Sequence, residues 1–228
     1  MTRHAVELSL ERLGGPSVVL AEITPSQMFL ASKKAGSAGS GIAAGLRVAR
    51  AALLWSVQRI GGLEVGFTDL DAGGLERMLP ASRWILAAET AWTRMHTPSG
   101  GEIEKLEAGM AVTAGPGGEV WTCTLPAHDD TPVRVVTMTD VGVASIEEII
   151  QEASDSSKAP AAQAFRAILS GCQRSIRAIG GAPVTTEDLK GAKWDALFSV
   201  KETHLLGRAY DRIHGTGGDL GEATPVSI

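Results

Sequence analysis

Two stretches of the chain carry the same hydrophobic pattern. Ile42, Leu46, Ala49, Leu53, Val57 and Ile60 recur at steps of four, three, four, four and three residues, the spacing of one face of an α-helix. Ala161, Phe165, Ile168, Cys172, Ile176 and Ile179 repeat that pattern position for position. The spacing predicts helices over 42–60 and 161–179. Each runs into a glycine pair, Gly61-Gly62 or Gly180-Gly181, and glycine ends a helix in the left-handed conformation without steric cost.

The letters repeat as well as the pattern. Leu46–Leu70 aligns with Phe165–Leu189 without a gap. The identical pairs are Arg47/Arg166, Ser56/Ser175, Ile60/Ile179, Gly61/Gly180, Gly62/Gly181, Val65/Val184, Asp69/Asp188 and Leu70/Leu189. After one residue is dropped, Ala91, Trp92, Arg94, Met95 and His96 face Ala209, Tyr210, Arg212, Ile213 and His214. An internal repeat of this kind is read before any other feature, because it sets the architecture.

The flanking segments fit two similar units. Strand pairs are expected at Val6–Leu10 with Ser17–Ile23, and at Glu119–Leu125 with Val133–Met138. A helix follows each pair, at Ser26–Lys34 and Ser145–Ser154, the second with Ser145 and Glu148 spaced as a capping box. Thr68-Asp69-Leu70 and Thr186–Leu189 read as caps of a further short helix. Last helices are expected over Ala81–Met95 and Val200–Ile213. The fold class is α+β and helix-rich, with two similar units, each a β-hairpin followed by about four helices. The Gly/Pro run Ala114–Gly118 divides them into residues 1–113 and 114–228.

Composition narrows the function classes. Units of about 110 residues lie within the usual domain range. No apolar run reaches the roughly 20 residues that span a bilayer, and the first residues, MTRHAVELSLER, lack a signal-peptide core. The net charge of −5 argues against non-specific nucleic-acid binding. Cys123 and Cys172 occupy non-equivalent positions, so they form no duplicated disulfide framework, and Cys172 reads as a small core residue.

Candidate chemistry is sparse. Gly39, Gly41 and Ala44 fit G-x-G-x-x-A, but Ala31–Ala35 before them is no buried strand, and the lysine of a phosphate-gripping loop is missing; a helix–helix loop is the better reading of Gly36–Gly45. His128-Asp129-Asp130 reads as a hairpin turn rather than a metal site. The matched His96 and His214 sit where a helix end leaves carbonyls unsatisfied, which favours capping over catalysis. No catalytic, cofactor-binding or metal-binding residue is therefore assigned. Arg47, Arg50 and Arg59, with Arg166, Arg174 and Arg177, lie off the apolar faces, as does Trp55. They are the candidate partner-binding residues, set against the alternative of a solvated face.

Val18–Pro25, Ser56–Gly62 with Ser175–Gly181, Thr68–Leu70, and Trp84–Met95 with Tyr210–His214 together carry one family likeness. The arrangement resembles tail assembly chaperones and related small tail-assembly proteins of tailed bacteriophages. That resemblance implies a protein that is not an enzyme and carries no cofactor. It would bind apolar helices of the tape-measure protein, or other tail proteins, in the cytoplasm of the bacterial host. Neither membrane nor nucleic acid is expected as a partner, and homo-oligomerisation stays open. The tandem copy departs from the single unit common in that family. It leaves a structural component of the tail or baseplate, retained in the virion, as the alternative.

Overall fold

The computed structural model describes residues 4–36, 42–96, 100–116, 118–128 and 131–214, giving the backbone alone for 42–44, 100–104 and 143. Strands β1 (Ala5–Ser9) and β2 (Ser17–Ala21) form an antiparallel hairpin around a short 3₁₀ turn at Glu11–Leu13. Helix α1 (Pro25–Ala35) starts at a capping box in which the Gln27 N–H donates to Thr24 Oγ1 and the Thr24 N–H donates to Gln27 Oε1. Helix α2 (Ile42–Ser56) leads directly into β3 (Val57–Ile60), which turns into β4 (Leu63–Glu64). Short helices α3 (Phe67–Leu70) and α4 (Gly74–Met78) precede the long α5 (Ser82–His96).

Helix α6 (Gly100–Gly109) and strand β5 (Ala111–Ala114) come next. The order then recurs: β6 (Val120–Leu125), β7 (Arg134–Thr139), α7 (Val143–Ser156), α8 (Pro160–Ser175), β8 (Ile176–Ile179), β9 (Ala182–Pro183), a 3₁₀ turn at Thr186–Leu189, α9 (Ala192–Leu197) and α10 (Val200–His214). The sheets run β1-β2-β3-β4 and β5-β6-β7-β8-β9. The fold is mixed α+β and rich in helix, as the pattern predicts.

Several expectations need correcting. The long helices stop at Ser56 and Ser175, and the residues read as their last turn are strands β3 and β8. Each strand carries a bulge. Val18, Val19 and Leu20 pair with Ile60, Arg59 and Val57, so Gln58 is the extra residue. Val136, Thr137 and Met138 pair with Ile179, Ala178 and Ile176, so Arg177 is the extra one. A bulge places residues three apart on the same side of a strand, which imitates the helical step. Gly61-Gly62 and Gly180-Gly181 therefore do not end helices. All four have positive φ, between 57° and 87°, and close two-residue hairpins of type I′ geometry.

Two more differences concern ends and edges. Gly142, not Ser145, is the N-cap of α7, and it offers no side-chain cap. The capping box lies instead on α10, where Ser199 and Glu202 exchange backbone-to-side-chain hydrogen bonds. Strand β5 pairs with β6 as an added edge, so the second sheet begins ahead of the 113/114 division.

Buried apolar side chains of both halves form one connected cluster, running from Leu10, Leu20 and Leu53 to Phe165, Cys172 and Leu206. Helix α1 packs on α8, and the Ser26 N–H donates to Asp195 Oδ1 across the junction at 3.0 Å. Arg208 and Glu107 add an ion pair at 2.9 Å. On α10, Gly207 lies so close to Ile168 of α8 that a Cβ there would stand 2.8 Å from it, below van der Waals contact. The halves share a core rather than standing apart.

Candidate functional site

The identities between the halves have matching structural tasks. Ser56 Oγ donates to the Ala21 carbonyl at 2.6 Å, and Ser175 Oγ donates to the Thr139 carbonyl at 2.5 Å. Each serine is buried and ties the helix-to-strand switch to the end of the neighbouring strand. Val65 and Val184 donate their backbone N–H to the carbonyls of the bulge residues Gln58 and Arg177. Asp69 and Asp188 each accept a backbone N–H three residues back, from Gly66 and Thr185. Leu70 and Leu189 are fully buried beneath them.

The paired histidines complete the frame. The Ile23 N–H donates to Nε2 of His96 at 2.9 Å, and the Val141 N–H donates to Nε2 of His214 at 3.0 Å. In both rings Nε2 is the acceptor, so Nδ1 carries the proton and donates to the carbonyl one turn back, Trp92 at 3.0 Å or Tyr210 at 2.8 Å. Each imidazole stacks on that same aromatic ring, with centroids 4.6 Å and 3.9 Å apart. The expected helix capping is thus half of the task; the other half latches α5 and α10 to the strand-to-helix corners.

Their surroundings differ. His96 is sealed in, and burial, with a smaller contribution from nearby Lys201, brings it down to about 4 against the hydrogen bond to Trp92. Beside His214, Asp140 Oδ1 lies 3.0 Å from Nε2.

The candidate partner-binding residues are mostly engaged within the chain. Arg50 pairs with the buried Glu89, joining α2 to α5. Arg166 and Arg174 both reach Glu152 on α7, and Arg174 also pairs with Glu148. Glu152 is raised by burial, but the hydrogen bond and charge of Arg166, with help from Ser170 and Arg174, hold it below the usual carboxylate range. Arg59 faces Glu64 across the first hairpin, and Arg177 donates to the Arg174 and Ile176 carbonyls. Trp55 is half-buried against Phe67, with centroids 4.6 Å apart. Arg47 is exposed and lines a shallow cleft of about 350 Å³ with Lys34, Arg50 and Asp71. Arg166 and Arg174 line a separate polar pocket of about 470 Å³ with Glu152 and Gln173.

The remaining expectations fall as follows. The run Gly36–Gly45 joins α1 to α2; residues 37–41 lie outside the described residues. His128 makes a paired backbone bridge to Thr131, as a turn does, and Asp129 and Asp130 lie outside the described residues. Both cysteines are free and buried; burial pushes Cys123 up to about 12 and Cys172 higher still. Among the described residues, no cluster of three or more His, Cys, Asp or Glu could hold a metal ion, and no helix is long and apolar enough to cross a membrane.

One feature was not legible from the sequence: an apolar groove of about 520 Å³ where the halves meet, walled by Leu46, Trp92, Phe165 and Ile168 with Met28 and His204. The periodicity places both Leu46 and Phe165 on the core stripe. Phe165 is 5% exposed but Leu46 is 43% exposed, so only the second position meets that expectation.

No protein-family model, no curated protein and no solved structure matches the chain.

Proposed function

We propose that this chain is a non-catalytic assembly protein of a tailed bacteriophage, a chaperone that covers apolar helices of the tape-measure protein in the host cytoplasm before the tail tube forms. The observation that carries the reading is the doubled frame: the same serine tie, glycine hairpin and histidine latch stand in both halves. We attribute that frame to duplication of a half-length module. Doubling supplies two similar helical faces in one molecule, and linked weak sites gain effective concentration for a long, repetitive partner. Ordinary catalytic devices find little support. The cysteines are buried, and the matched histidines are both committed to backbone groups.

Co-expression with the tape-measure protein of the same genome tests the proposal. The expected outcome is a tape-measure protein that stays soluble and co-purifies with this chain. A tape-measure protein that aggregates equally with and without it would contradict the reading. Stoichiometric recovery of the chain from purified particles would favour the structural-component alternative, since a chaperone should be absent from them.

A further inference from the structure

The two halves of the chain meet through unlike surfaces. Helix α1 of the first half packs on α8, α9 and α10 of the second. The counterpart of α1 in the second half is α7, which packs chiefly on its own α8, as α1 does on α2. A contact between unlike faces of like units is heterologous: it leaves one face of each kind open, and a further copy can fill them. The open faces here are the outer side of α7 and the α4–α5 side of the first half, the counterpart of α9 and α10.

The latches set the correspondence between the halves. Ile23 matches Val141 and His96 matches His214. Ser32 of α1 then falls on Ile150 of α7, and His204 of α10 on Leu86 of α5. Ser32 is 4% exposed and borders the junction groove together with His204. Their counterparts are large, apolar and open to solvent: Ile150 is 58% exposed and Leu86 52%. The polar contact of the junction has counterparts too. Asp195 Oδ1 accepts the Ser26 N–H in the first turn of α1. Matching backbone bonds, Leu79 N–H to the Leu75 carbonyl and Phe198 N–H to the Trp194 carbonyl, align α4 with α9 and put the exposed Glu76 where Asp195 stands. Ser26 in turn matches the exposed Ala144, in the first turn of α7, where the N-cap Gly142 supplies no side-chain cap.

We infer that a second copy of this chain docks head to tail, its α7 lying on the α4–α5 face of the first copy as α1 lies on α9 and α10 within the chain. Ile150 packs against the neighbour's Leu86, and the neighbour's Glu76 accepts the Ala144 N–H. The rims carry opposite charge, with Glu147 one turn before Ile150 and Arg83 one turn before Leu86. Each added copy presents the same two faces again, so association continues until a ring closes. The contact does not depend on the chain being a chaperone.

Sedimentation velocity of the full chain across about 1–200 µM tests it, since association follows mass action. The wild type is expected to sediment as a dimer or larger at the upper end. Ile150→Glu and Leu86→Glu should each raise the association midpoint at least about tenfold. Leu63→Glu, at a 60% exposed position on the first hairpin, should leave it unmoved. The decisive arm mixes the first two variants. Each keeps the face that the other lacks, so the mixture should form a one-to-one dimer where either variant alone is a monomer. Glu147→Arg replaces Ile150→Glu, and Glu76→Arg replaces Leu86→Glu, should either lose its native circular dichroism. A wild type that is monomeric throughout, a midpoint that either face variant leaves unmoved, or a mixture that stays monomeric overturns the inference. So does an equal loss of association in Leu63→Glu.

Discussion

His96 accepts the backbone N–H of Ile23 across 73 residues of sequence, with its ring fully buried against Trp92. The bond fastens the end of α5 to the corner between β2 and α1. His214 and Val141 repeat it at the same separation.

Removing the first latch should be costly. His96→Ala leaves the Ile23 N–H buried without a partner and opens a cavity beside Trp92, for a loss of about 3–4 kcal/mol. Urea denaturation measures it, and a loss under about 1 kcal/mol would contradict the latch.

Acid should weaken the fold through the same ring. The unfolded ring titrates at its ordinary 6.5, and the folded one at about 4. Between those values the unfolded state binds more protons, so its contribution to stability is full above about pH 6.5 and is lost as pH falls toward 4. The full loss is about 3 kcal/mol. Denaturant midpoints from pH 4 to 7 should show this slope in the wild type, and His96→Ala should flatten it.

The hairpin glycines offer a check on the corrected strand assignment. Gly62 and Gly181, at φ 87° and 83°, should each lose about 1–2 kcal/mol on replacement by alanine, because an L side chain is strained there. Asparagine should cost less, since it tolerates that region better. A melting temperature unchanged by Gly181→Ala would count against the turn.

A buried charge pair should stand apart from the exposed ones. Glu202 is fully buried at the start of α10, with Arg134 3.3 Å away. Arg134→Met strands that carboxylate and should cost about 3 kcal/mol. Arg59→Met breaks only an exposed pair at 3.7 Å and should change stability by less than about 1 kcal/mol.

How much of the fold is legible in the sequence depends on which physical signal each segment carries. The strand pairs were legible as β-branched runs around turn residues, and the last helices as apolar stripes ending in histidine. Val57–Ile60 reads as helix in the sequence because two signals coincide. The bulge gives Val57 and Ile60 a helical spacing, and Gly-Gly serves both as a helix stop and as a type I′ turn. The identity Ser56/Ser175 was the available clue, since a buried hydroxyl at the end of a helix needs a carbonyl from elsewhere. Arginines off the apolar face looked alike in sequence. Only packing shows that Arg50, Arg166 and Arg174 are taken by acids of neighbouring helices. The groove escaped because Leu46 and Phe165 belong to one pattern, and the pattern cannot say which position the other half will cover.

The central claim is that one hydrogen-bonded frame is built twice in this chain. Long-range ¹H–¹⁵N spectra of the histidine rings at pH 7 test it most directly. The account predicts the same hydrogen-bond pattern in His96 and His214: Nδ1 carries a proton that faces a carbonyl, and a bare Nε2 accepts a backbone N–H. A proton on Nε2 of either ring, or rings in different states, would contradict it.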